Sequence, residues 1–153
     1  CMDPVKTAEA SKNLIATKDN PRAEYIFEDG SYIFIEVNVV EALDLDSFES
    51  DDEPGLERWN YIANASAGTA LLNANFNAYI NIRDGYDDIE GLGTWDIYVW
   101  GNTWTVTDYS IIRQVETATQ PATARLTWKI TNGGTCWLQL NVKDDGWYST
   151  FQL

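Results

Sequence analysis

The sequence predicts an all-β fold: one antiparallel β-sandwich or jelly-roll domain of about eight strands. Three observations carry this. Aromatic residues make up 13% of the 153-residue chain, with seven Trp and eight Tyr, and such residues favour strands. Apolar and polar residues alternate with period two in run after run. Turn signals built on Gly, Asn and Asp separate those runs at short spacing, as in sandwiches and barrels. A hydrophobic content of 44% sets the chain apart from disordered proteins, and its length suffices for one self-contained core.

Residues 1–22 contain no aromatic residue and read as a tail or tether, leaving 23–153 as the single β domain. Asp3-Pro4 suits a helix start, with Asp as cap and Pro at the first helical position. VKTAEASKNLIA (5–16) could then form one short helix, although its stripe of Val5, Ala8, Lys12 and Ile15 is a poor apolar face. Next comes AEYIFEDGSYIFIEVNVV, where Asp29-Gly30 predicts a two-residue hairpin turn. That turn pairs Phe27 with Tyr32, Ile26 with Ile33 and Tyr25 with Phe34. Both faces of this hairpin are apolar, so both are expected to be covered. An acidic loop occupies 43–57. A strand follows at about 69–83, with Leu72, Ala74, Phe76, Ala78, Ile80 and Ile82 inward. Asn73, Asn75, Asn77, Tyr79, Asn81 and Arg83 face outward. DGYDDIEG (84–91) reads as a second acidic turn.

In GTWDIYVWGNTWTV (93–106), Gly101-Asn102 predicts a two-residue turn that pairs Val99 with Trp104 and Ile97 with Val106. Trp95 and Trp104 then belong to the core. Asp96, Tyr98, Trp100, Thr103, Thr105 and Thr107 lie on the outer face. YSIIRQVET (109–117) is a further strand, followed by a loop over 117–123. The last thirty residues read as a meander. A three-residue Asn132-Gly133-Gly134 loop pairs Ile130 with Cys136, Trp128 with Leu138 and Leu126 with Leu140. An Asp145-Gly146 turn pairs Leu140 with Phe151 and Leu138 with Leu153, which places Leu153 in a strand. This parity turns Cys136 inward and Trp137 outward, beside Lys129.

The formal net charge is −14, from 24 acids against 10 bases. Such a surface repels nucleic-acid phosphates and suits cations, basic partners or uncharged ligands such as glycans. No apolar run is long enough for a transmembrane helix. The sequence opens on Cys1, which resembles the mature end of a bacterial lipoprotein, where that Cys carries lipid and the polar stretch behind it is a tether. The resemblance implies lipidation at Cys1 and an extracellular or bacterial cell-surface location. Cys136 is expected as a buried free thiol, a Cys1–Cys136 disulfide being the alternative. With no His and two distant Cys, a zinc site is excluded.

Three constellations could carry chemistry. The first is the outward aromatic set of Tyr98, Trp100 and Trp137, with Tyr79 and Tyr148 as further members. Flat rings pack against the C–H faces of sugars, while Asn73, Asn75, Asn77, Asn81 and Asp96 could bond their hydroxyls. The predicted ligand-binding residues are therefore Tyr98, Trp100, Trp137, Asp96, Asn75 and Asn77. The second is the acidic loops: Asp44, Asp46, Glu49, Asp51, Asp52 and Glu53, then Asp84, Asp87, Asp88 and Glu90. There Asp84, Asp87 and Asp88 are candidate ligands of a structural calcium ion, although EF-hand spacing is absent. The third is the carboxylates Glu36, Asp96 and Glu116, of which two would have to converge for glycoside hydrolysis. Without His, Ser–His and Cys–His catalysis is ruled out. Asn64-Ala65-Ser66 is a glycosylation sequon. The expected function is non-catalytic binding of a carbohydrate outside the cytoplasm. The alternative is a structural subunit of a surface filament, pilus or adhesin, its aromatics and tail contacting a neighbouring subunit.

Overall fold

The computed structural model describes residues 14–41, 61–83, 86–131, 133–144 and 146–153. These form ten strands: β1 (Ala16–Thr17), β2 (Arg22–Ile26), β3 (Tyr32–Glu41), β4 (Tyr61–Thr69), β5 (Leu72–Arg83), β6 (Tyr86–Val99), β7 (Trp104–Arg113), β8 (Ala122–Ile130), β9 (Thr135–Lys143) and β10 (Gly146–Gln152). They make two antiparallel five-stranded sheets, ordered β1-β10-β9-β8-β7 and β2-β3-β4-β5-β6. The predicted sandwich is present. Every strand but β1 pairs with a neighbour in sequence, so each sheet is a meander, without the Greek-key crossover of a jelly roll. The core lies between the inner faces: Ile33, Ile35, Val37, Phe76 and Ile80 from one sheet, and Leu126, Trp128, Leu138, Leu140 and Phe151 from the other.

Two strands exceed the predicted eight. β1 is only two residues long and lies in the stretch read as tail, at the end of the proposed helix. Ala16 pairs with Ser149 of β10 and is fully buried. Leu14 and Ile15, also within the proposed helix, are not helical, and Arg22 of the expected tether already belongs to β2. Residues 1–13, Cys1 included, and the acidic loop at 43–57 lie outside the described residues. β4 escaped the sequence reading because its inward residues are alanines. Ala63, Ala65 and Ala67 are fully buried, while Asn64, Ser66 and Gly68 alternate with them, and none of these is a strong strand former.

Register is where expectation and structure part. In the β2–β3 hairpin the pairs are Ile26 with Tyr32 and Tyr25 with Ile33, one residue off the prediction. The loop holds three residues, 28–30. Phe27 N donates to Ser31 O at 2.8 Å and Gly30 N to Phe27 O at 2.9 Å, with Gly30 at φ 89°, the geometry of a three-residue loop closed by a left-handed glycine. A one-residue slip reverses faces, and Ile26, expected on the face of Ile33 and covered, lies on the opposite face and is 63% exposed. In the C-terminal meander the error is two residues at each turn. Trp128 pairs with Cys136 and Leu126 with Leu138; Leu138 pairs with Phe151 and Leu140 with Ser149. A two-residue error keeps parity, so the predicted inward set is the observed one. At the β9–β10 turn Lys143 pairs with Gly146 and Asp144 has φ 57°, and β10 ends at Gln152, one residue before Leu153.

The predicted hairpin at Gly101-Asn102 is instead a passage between sheets. β6 pairs with β5, and β7 with β8. The arms therefore face each other across the sandwich edge, where Trp95 and Trp104 meet edge to face with centroids 5.8 Å apart. Trp104 is half-buried against the core, but Trp95 is 37% exposed rather than core. The separate strand expected at 109–117 is continuous with the preceding segment as β7, through a register shift between Val106 and Asp108. The second acidic turn is largely strand: Asp87 and Asp88 pair with Ile82 and Asn81. Beyond β7, Ile89 N donates to Gln114 O at 2.8 Å and Glu116 N to Asp87 O at 3.0 Å, which ties the two sheets at this corner.

Candidate ligand-binding face

The outer face of the β2–β6 sheet collects most of the predicted binding residues. Alternation along β5 turns Asn73, Asn75 and Asn77 outward because Leu72, Ala74, Phe76 and Ala78 are buried. On β6, Tyr98 lies opposite Asn73 and Asp96 opposite Asn75. Tyr98 is 53% and Trp100 65% exposed. Trp100 follows the end of β6, where its N–H donates to Leu71 O at 2.9 Å. Gly101, at φ 75°, then turns the chain toward the other sheet. The indole is thus held out on an anchored backbone, two residues beyond Tyr98.

β4 completes this face. Gly68 pairs with Asn73, Ser66 with Asn75 and Asn64 with Asn77. Asn64 Nδ2 donates to Asn77 Oδ1 at 2.9 Å, and Asn77 Nδ2 donates to Thr94 Oγ1 at 3.2 Å. A relay of amides therefore crosses three strands and fixes both rotamers. Gly93 permits it, since a Cβ there would lie 3.1 Å from both Asn77 Cβ and Tyr79 Oη. Behind this point the Tyr109 hydroxyl donates to Gly93 O at 2.7 Å. Burial, and then the nearby Tyr79 hydroxyl, push the Tyr109 hydroxyl up to about 12. Asn64, Ser66 and Gly68 were not among the predicted site residues. Their signal was the Ala-x-Ala-x-Ala alternation of 63–67, which conceals a strand from any search for bulky apolar residues. The sequon amide of Asn64 is engaged in the relay.

Trp137 does not join this set. It lies on β9 between Cys136 and Leu138, both buried, so it faces outward from the other sheet. The outer faces of packed sheets point in opposite directions, and parity alone cannot say to which sheet a strand belongs. There the Arg125 guanidinium sits 4.6 Å from the Trp137 ring centroid. Arg125 also donates to Gln139 Oε1, whose amide donates to Asn141 Oδ1 at 2.9 Å. Tyr148 shares that sheet, opposite Asn141. Tyr79 lies on β5, two residues beyond Asn77, half-buried.

Of the proposed calcium ligands, Asp84 lies outside the described residues. Asp87 is fully buried and Asp88 is 7% exposed. As strand neighbours they point to opposite faces, and Asp88 Oδ1 accepts from Asn81 Nδ2 at 2.9 Å. Among the described residues no three acidic, Cys or His side chains gather around one point. Glu36 and Asp96 occupy one cross-strand row but are three strands apart, roughly 14 Å at the usual interstrand spacing. This pair is wider than either spacing used by glycosidases. Glu116 is elsewhere, at the corner joining the sheets: Oε1 accepts from Asp87 N at 2.8 Å and Oε2 from Asp144 N at 3.3 Å. Cys136 is a free thiol, 3% exposed, and burial raises its pKa to about 11. Cys1, its partner in the disulfide alternative, lies outside the described residues. No helix of the described residues is long and apolar enough to cross a membrane.

Comparison with protein-family models and with curated proteins finds no match. Among solved structures, the chain is similar to a hypothetical protein of Listeria monocytogenes EGD-e, at 13% identity and a TM-score of 0.45. The likeness covers 86% of this chain and 98% of that one.

Proposed function

We propose that this protein is a non-catalytic carbohydrate-binding module acting outside the cytoplasm, and that its binding face is the outer surface of the β2–β6 sheet. One observation carries the reading: Tyr98 and Trp100 are more than half exposed beside Asn73, Asn75, Asn77 and Asp96. A large ring left in water is costly unless something covers it, and rings among amides and a carboxylate match the two faces of a sugar, apolar C–H and polar hydroxyl. A glycan array followed by tryptophan-fluorescence titration tests it. We expect saturable binding to at least one glycan class, weakened tenfold or more, about 1.4 kcal/mol, by Trp100→Ala. An array without hits would end this reading.

A filament or adhesin subunit is the second reading, favoured by the margin at β2. That edge strand leaves Tyr25 52% and Ile26 63% exposed, and strand addition is a known way to cover such an edge. Light scattering separates the two: a subunit assembles with concentration, and Ile26→Lys blocks assembly without affecting glycan binding.

A further inference from the structure

One cross-strand row on the outer face of the β2–β6 sheet has small residues in the middle and large rings at the sides: Gly68 and Asn73 between Phe34 and Tyr98. β4 and β5 present Gly68, Ser66 and Asn64 opposite Asn73, Asn75 and Asn77. On either side stand Phe34 and Glu36 of β3 and Tyr98 and Asp96 of β6, in the same cross-strand rows. These rows outline a furrow between Phe34 and Tyr98, floored by Asn73 over Gly68, that levels out along the strands over Asn75 and Asn77 and ends at the next outward pair, Ile62 and Tyr79. Resting on the carbohydrate reading, we propose that its ligand is a linear, unbranched, uncharged polysaccharide lying along β4 and β5. Its leading ring rests on Tyr98 and Trp100, and the following units lie over Asn75 and Asn77.

Spacing gives the first argument. Asn73, Asn75 and Asn77 recur about every 6.6 Å and extend over roughly 13 Å of strand, a repeating row of donors and acceptors suited to a repeating polymer. Preorganisation gives the second. The relay from Asn64 through Asn77 to Thr94 holds the far end of the furrow in one arrangement, which lowers the ordering cost of binding there. Charge gives the third. Glu24, Glu36 and Asp96 lie on this face, and the cation beside them, Arg22, is paired with Glu36 at 3.1 Å and stacked 4.6 Å from the Phe34 ring centroid. With a net charge of −14 over the chain, anionic sugars are repelled. Amides, which both donate and accept, match neutral hydroxyls.

Calorimetric titration of the full chain tests this, using neutral glucose or mannose oligomers of increasing length and uronate oligomers of matched length. We expect affinity for the neutral series to rise with length, by roughly tenfold between one and three units, the scale of a net hydrogen bond or two. Asn77→Ala should remove that gain, so that one and three units bind with the same affinity. Asn75→Ala should do the same without breaking the Asn64–Asn77 bond. Uronate oligomers should not bind. Binding that is independent of length, or equally tight for uronates, overturns the proposal while leaving the carbohydrate reading intact. If no neutral sugar binds at any length, that reading falls and this inference with it.

Discussion

Tyr109 shows at the scale of one residue how the core supports the polar face. Its ring packs edge to face on Phe76, with centroids 5.7 Å apart, and its hydroxyl holds Gly93 from behind. Burial favours the neutral phenol, so its pKa in the folded protein, about 12, exceeds the ordinary 10. The folded state therefore binds more protons between these values, and the stabilisation from this group is complete below pH 10 and lost as pH rises toward 12. Denaturant midpoints at pH 9 and 11.5 should fall further for the wild type than for Tyr109→Phe; equal falls would refute the assignment. Phe76 itself is fully buried, and Phe76→Ala should cost about 3–5 kcal/mol, read as a lower midpoint. The Cys136 thiol, held up near 11, should resist alkylation at pH 8 until the protein is unfolded, which mass spectrometry of the tryptic peptide reads directly.

At the scale of strands, much of the fold was legible. The inward residues of β5, β8, β9 and β10 followed from alternation alone, because a strand between core and water has a period of two whatever its partner. Partners and turn positions were not legible. The β8–β9 hairpin closes between Ile130 and Gly134, with Ile130 N donating to Gly134 O at 3.1 Å, so its loop has the expected length but begins one residue before Asn132-Gly133-Gly134. The turn at Gly101 links strands that face across the core, and its local sequence is the same as that of a hairpin turn. For the same reason Tyr98 and Trp137 looked like neighbours although they lie on opposite faces. Glu116 is the element-scale test of the corner, since its two carboxylate oxygens bind backbone donors from both sheets. Glu116→Ala leaves the Asp87 and Asp144 N–H groups without this acceptor and should cost about 1–3 kcal/mol. An unchanged midpoint would mean that the corner is held by its backbone hydrogen bonds alone.

Over the whole molecule, the chain crosses one sheet in sequence, passes to the other at Gly101, and returns until β10 lies beside β1. Closure rests on Ala16, fully buried against Ser149, so Ala16→Glu should destabilise the fold by several times the effect of an exposed substitution such as Asp19→Ala. The sandwich also separates its two polar surfaces. One carries Tyr98, Trp100 and the asparagine row; the other carries Trp137 under Arg125 and the Gln139–Asn141 ladder. If only the first of these binds glycan, a glycan identified on the array and embedded in an affinity-electrophoresis gel should retard the wild type and Trp137→Ala equally and no longer retard Trp100→Ala. Retardation lost with Trp137→Ala but kept with Trp100→Ala would contradict it.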